Sequence, residues 1–256
     1  MKKLFLSWQN PVSRRWFPIG RLDFDGGLYR FRYIQGALVA EEKGHFRPIR
    51  TFPDFYIVYE SPRLFPLFEN RLLRRSRPEF PDYVKWLNIP KKSDDPIALL
   101  SRSGGQRMTD TFEVFPCPQP DENGLYRIHF FVHGLRYMPS ETQTHIQQLK
   151  ADTQLFIMQD SQNDFDTDAL LLRTEDCRNV GYCPRYLTND VLQLLNKDPQ
   201  NLSVVVERVN PHPTPVQFRL LCHLRAKWSE AFQPFSGDLY KPLVEEVATT
   251  VHACTQ

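Results

Sequence analysis

Three short stretches in the carboxyl half gather residue types that can recognise a nucleic-acid strand. The first is Gly134-Leu135-Arg136-Tyr137. The second is Gln162-Asn163-Asp164-Phe165-Asp166. The third is Val180-Gly181-Tyr182-Cys183-Pro184-Arg185-Tyr186-Leu187. An arginine fork can grip a phosphate, and flat rings stack on bases of any identity. A carboxylate accepts hydrogen bonds from hydroxyls and repels phosphates. Together these groups suit a strand end that carries a free hydroxyl. Taken as residues alone, they also fit the ordinary turns of a small barrel.

Other chemistries are not legible. Gly104-Gly105 lacks the Lys-Ser/Thr that completes a phosphate loop. The chain has neither a G-x-S-x-G elbow nor an H-E-x-x-H pair. His129 and His133 have ligand spacing for a helix, but the residues around them alternate as in a strand. There they merely share a face. Asp164, Asp166, Asp168 and Glu175 imitate a calcium loop, yet Ala169 stands where the loop needs glycine for its sharp turn. A polar turn feeding a buried strand is the better reading. Asp54 and Glu60 are acids with nothing to fix a nuclease geometry. Hence no catalytic activity and no cofactor or metal is expected.

The elements that must position these residues follow from composition and pattern. The chain has 256 residues, room for one large domain or two ordinary ones. Hydrophobic residues make up 41% and aromatics 13%, enough to build a core. Prolines number 21 against 11 glycines, which argues against long helices and regular doubly wound sheets. An α+β class results, with short strands and few helices. No apolar run reaches the roughly 18–20 residues of a membrane span. Ser7 to Pro11 interrupt the apolar start before it becomes a signal segment. The five cysteines are scattered and form no C-x-x-C pair, as expected for reduced thiols in a cytoplasmic protein.

In the first module, strands are expected over 4–6, 16–24 and 28–33. Asp25-Gly26-Gly27 marks a hairpin turn. Helices are expected over 62–89, and another over 96–102 that stops at Gly104-Gly105. The stretch 116–124, with three prolines and one glycine, marks a linker, set at 119–127 between a domain at 1–118 and one at 128–235. Ile128, Phe130 and Val132 can share one strand face. Further strands are expected at 155–158, 169–172, 204–209 and 216–224. A short helix over 187–195 would be capped by Thr188 or Asn189. Several short strands with intervening turns point to a small barrel. In the tail, 236–256, Leu243, Val244, Val247 and Val251 have helical spacing.

Charge is uneven. Residues 1–90 carry 16 Lys/Arg against 9 Asp/Glu, whereas residues 128–256 carry 11 against 15. Arg71, Arg74, Arg75 and Arg77 could form a nucleic-acid patch or a solvated helix face paired with Glu69 and Glu79.

At the three opening stretches the sequence resembles the HIRAN domain. The motif segments stand in family order and at family spacing over roughly 128–225. The resemblance implies a small β-barrel with short helices that binds single-stranded DNA at its 3′ end. By motif position, Arg136 and Tyr137 would hold phosphate and stack on a base. Asn163, Phe165 and Asp166 would line the end pocket, with Asp166 accepting from the 3′-hydroxyl. Tyr182 would flank the terminal nucleotide. The usual Asn-Pro-Tyr-Asp is Asn-Asp-Phe-Asp here, and Tyr182 replaces a histidine.

Residues 1–118 resemble, more faintly, the amino-terminal subdomain of HipA-type kinases. The carrying features are Gly20-Arg21-Leu22, the Asp25-Gly26-Gly27 hairpin and Pro96 to Gly105. The kinase core is absent. This resemblance implies an interaction role, with a HipA-like kinase as partner in a toxin–antitoxin setting.

Overall fold

The computed structural model describes residues 1–107, 109–163, 166–230, 232–244 and 250–252. Its contacts divide into two units. The first comprises Met1–Phe80, Lys92–Cys117 and Phe235–Gln256, the second Pro81–Lys91 and Pro118–Pro234. The segment 81–91, expected in the first domain, thus groups with the second, and the tail groups with the first.

In the first unit, β1 (Lys2–Gln9), β2 (Trp16–Phe24), β3 (Tyr29–Tyr33), β4 (Val58–Ser61), β5 (Phe112–Pro116) and β12 (Thr250–His252) form one sheet, in the order β12-β4-β3-β2-β1-β5. The β2–β3 turn is made as its residues predict. Asp25 Oδ1 accepts from the backbone N–H groups of Gly27 and Leu28, both at 3.0 Å, and Oδ2 accepts from Arg30 Nη1 at 2.6 Å. These bonds hold the Asp25 carboxyl down at about 2.

α1 (Gln35–Gly44) lies directly on β2, since a Cβ on Gly36 would come within 1.9 Å of the Pro18 carbonyl oxygen. The core beneath is aromatic, with Phe31 stacked on Phe52 at 4.1 Å between centroids. Tyr33 ties its surroundings by donating to the Phe52 carbonyl and accepting from the Ile49 N–H. α4 (Pro96–Ser103) starts on Asp95, whose carboxylate accepts from Ile97 and Ala98, and stops at Gly104 with φ +72°.

Over 62–89 only two short helices form, α2 (Pro66–Glu69) and α3 (Phe80–Trp86). The arginines between them do not pair with Glu69 and Glu79 in the way expected. Arg71 is buried and grips Asp110 with both terminal nitrogens, at 3.0 and 2.7 Å. Arg75 binds Asp94 and lies over the Phe80 ring. Of the expected tail helix, Val247 lies outside the described residues. The described tail has a 3-10 turn at Asp238–Tyr240 and the strand β12, parallel to β4.

The second unit is a single curled sheet of β6 (Leu125–Phe131), β7 (Gln154–Gln159), β8 (Leu170–Arg173), β9 (Asn179–Tyr182), β10 (Ser203–Val209) and β11 (Leu220–Lys227). Its order is β6-β11-β10-β7-β8-β9. The two edges meet where His133, just beyond β6, exchanges both backbone hydrogen bonds with Tyr182 at the end of β9, at 2.9 and 3.0 Å. That bridge closes the curl at one rim. Tyr126, Ile128, Phe130 and Val132 all face the core, as their alternation requires.

α5 (Ser140–Gln148) and α6 (Thr188–Lys197) complete the unit. Thr188 and Asn189 are inside α6 rather than capping it, because a 3-10 turn, Arg185–Leu187, feeds directly into the helix. The strand expected from 216 begins only at Leu220, after a 3-10 turn at Val216–Phe218. β6 begins at Leu125, inside the segment expected as linker. Among the described residues no helix is long and apolar enough to cross a membrane.

Candidate nucleic-acid interface

The rim where the second sheet closes positions most of the residues singled out above. Gly181 has φ +122°, and a Cβ there would fall 2.4 Å from a Val132 methyl and 2.8 Å from the His133 carbonyl oxygen. Glycine is therefore required for β9 to reach the end of β6. Gly134, at φ +79°, lies against the Tyr182 ring, where its Cβ would come within 3.0 Å. The chain then makes a 3-10 turn, Leu135–Tyr137. Leu135 is buried, and Arg136 and Tyr137 stand outside. Tyr137 is 79% exposed. The Arg136 guanidinium lies 5.7 Å from its ring centre.

Across the rim, the β7–β8 loop folds on its own polar groups. The Tyr182 hydroxyl donates to Asp160 Oδ2 at 2.8 Å, and Asn163 Nδ2 reaches the same oxygen at 3.5 Å. Asn163 Oδ1 accepts from the Asp166 N–H at 3.1 Å. The Asp166 carboxylate accepts from the Asp168 N–H through one oxygen and from Arg185 Nε through the other. Burial first, and then the bond to Asp160, push the Tyr182 phenol above its ordinary value. It therefore remains a donor at neutral pH. Next to it, Cys183 is buried in apolar surroundings that push its thiol well up, so it is no nucleophile.

The structure thus brings Asn163, Asp166 and Tyr182 together through a network. Arg136 and Tyr137 occupy the adjoining turn and connect to that network through the Gly134–Tyr182 contact. Phe165, with Asp164, lies outside the described residues. The calcium-like spacing is put to other use, since Asp168 Oδ1 accepts from Gln159 Nε2 at 3.3 Å.

Sequence reasoning missed Asp160 and the role of Arg185. The partners of these two lie 22 and 19 residues away, at spacings no local pattern marks. It also missed the outer face of β7, where Phe156 is 48% exposed and Met158 accepts a contact from Arg173. The alternation 156, 158, 160 carries that face toward Asp160, a sign readable in the sequence.

Chemically, this rim offers an exposed ring beside a guanidinium, with a carboxylate that is neutralised by a cation yet keeps lone pairs to spare. Such a set offers a stacking face, a cation and a hydrogen-bond acceptor to one ligand.

Two solved structures resemble part of the chain. A protein from Lactobacillus plantarum is 20% identical, with 40% of this chain and 97% of that one covered and a TM-score of 0.31. The HIRAN domain of human HLTF is 18% identical, covering 42% and 78%, with a TM-score of 0.30. No curated protein sequence matches significantly. The family model that matches is that of the HIRAN domain, over residues 125–229. The sheet with the closed rim, running from β6 to β11, lies within the segment that matches the HIRAN domain model.

Proposed function

We propose that the HIRAN domain binds single-stranded DNA at its 3′ end, on the rim formed by Gly134–Tyr137, the Asp160–Asp166 loop and Tyr182, without catalysing a reaction. The observation that carries this reading is the network Tyr182–Asp160–Asn163–Asp166–Arg185, set beside the exposed Arg136–Tyr137 pair. Tyr137 offers a stacking face to the last base, and Arg136 faces the phosphate behind it. Asp166 uses both oxygens internally, but a carboxylate has about four lone-pair sites. It can therefore still accept a bond from a terminal hydroxyl. Its pairing with Arg185 reduces the repulsion that a bare carboxylate would exert on the strand. Phe156 on the outer face of β7 provides a second aromatic surface along the path to Asp160. The proposal rests on the second unit alone.

Fluorescence anisotropy with short single strands that end in either a 3′-hydroxyl or a 3′-phosphate tests this reading. The phosphate end should bind at least about tenfold more weakly, a difference of about 1.4 kcal/mol. Asp166→Asn should narrow the difference, because the repelling charge is gone. Equal affinities of the native chain for the two ends would refute the end pocket.

A further inference from the structure

The outer face of the HIRAN-domain sheet carries a side-chain cluster that strand binding does not use. β6 and β11 pair so that His129 stands directly opposite His223. The two rings stack, 4.5 Å between centroids and 11° between planes. β10 brings Glu207 alongside from the register shift between Val206 and Arg208. Glu207 Oε2 lies 3.9 Å from His129 Nε2 and 3.9 Å from His223 Nδ1. One carboxylate oxygen and two ring nitrogens thus lie within 4.8 Å of one another. The side chains of His129, Glu207 and His223 are 30%, 27% and 12% exposed. The cluster is open to solvent and also backed by protein.

A second feature fixes the carboxylate. Asn88 Nδ2 donates to Glu207 Oε1 at 2.7 Å, and Arg208 Nη1 donates to Asn88 Oδ1 at 2.7 Å. One carboxylate oxygen is thereby held from behind while the other faces the two imidazoles. Outer hydrogen bonds of this kind orient the ligands of metal sites.

We propose that His129, Glu207 and His223 bind a divalent first-row transition ion, zinc in the first instance, with the fourth position left to water. Two imidazoles and one carboxylate suit zinc, copper or nickel, whereas calcium and magnesium take oxygen ligands. Around a tetrahedral zinc with bonds of about 2.0–2.1 Å, ligand atoms stand about 3.4 Å apart, so each 3.9 Å pair closes by roughly half an ångström. The two ring nitrogens, within 4.8 Å of each other, must also approach, and the stacked rings turn out of their parallel arrangement so that both lone pairs point at one centre. Cys222 neighbours His223 in sequence but is fully buried, on the opposite face of β11.

Calorimetric titration of the full chain with zinc chloride is expected to show saturable binding of one ion per chain. His129→Ala and Glu207→Gln should each abolish it, and Asn88→Ala should weaken it about 10–100-fold. Glu207→Gln keeps the volume of the side chain, and circular dichroism shows whether each variant folds. The unsubstituted chain supplies a measurement independent of any variant. Of its seven histidines, the imidazole resonances of His129 and His223 should move together as zinc is added. No binding would overturn the proposal. So would binding that survives in folded Glu207→Gln, resonance shifts confined to other histidines, or a cobalt spectrum with thiolate charge-transfer bands.

Discussion

Tyr182 joins the two halves of the candidate interface, since its ring lies on Gly134 and its hydroxyl binds Asp160. Tyr182→Phe removes a hydrogen bond and leaves Asp160 short of a donor. The expected loss is about 1 kcal/mol in urea denaturation. The raised phenol value sets the pH range of this contribution. The folded state favours the neutral phenol, so the contribution is complete below the unfolded value of about 10 and is lost as pH rises through the folded value. The difference between native and Tyr182→Phe chains should therefore be the same at pH 7 and pH 9. Arg136 and Tyr137 act differently, because both stand outside and contribute little to stability. Tyr137→Ala should weaken single-strand binding by about 1–3 kcal/mol at any salt concentration. Arg136→Ala should instead reduce the slope of log affinity against log salt by about 0.7. Titrations at several salt concentrations separate the two.

Closure of the second sheet depends on glycine at one position. Gly181→Ala would place a methyl into Val132 and the His133 carbonyl at a φ that side chains rarely adopt. Backbone strain of that kind costs about 1–3 kcal/mol, and the steric clash adds to it. Thermal unfolding should show a clear fall in midpoint, and hydrogen exchange should show faster exchange at the His133 and Tyr182 amides. Elements defined by local chemistry are legible in the sequence, among them the Asp25-Gly26-Gly27 turn, the Pro96 start of α4 and the alternating face of β6. α1 was not, because the face it buries is made of Gly36, Ala37, Ala40 and Gly44, which leave no apolar stripe. α5 was also missed, since Ile146 is its sole buried residue among mostly polar ones. In the sequence His129 stands at ligand spacing from His133, four residues on. Its structural neighbour is His223, directly across the sheet and 94 residues later, a pairing that only strand register reveals.

At the scale of the molecule, the basic surplus of the first 90 residues does not by itself make a nucleic-acid surface. Arg71 is buried on Asp110 and serves the packing of its own unit, while Arg75 stands largely in solvent, paired with Asp94. The acidic surplus of residues 128–256 is tempered at the rim, where Asp166 is paired with Arg185. On the proposed reading, strand recognition is confined to one rim of one unit and should leave a local footprint. Amide chemical-shift mapping of the full chain during titration with a short single strand bearing a 3′-hydroxyl tests this most directly. Shifts should concentrate at Gly134–Tyr137, at 160–166 and at Gly181–Arg185, with the first unit unchanged. Shifts confined to the first unit, or spread evenly over both, would contradict the account.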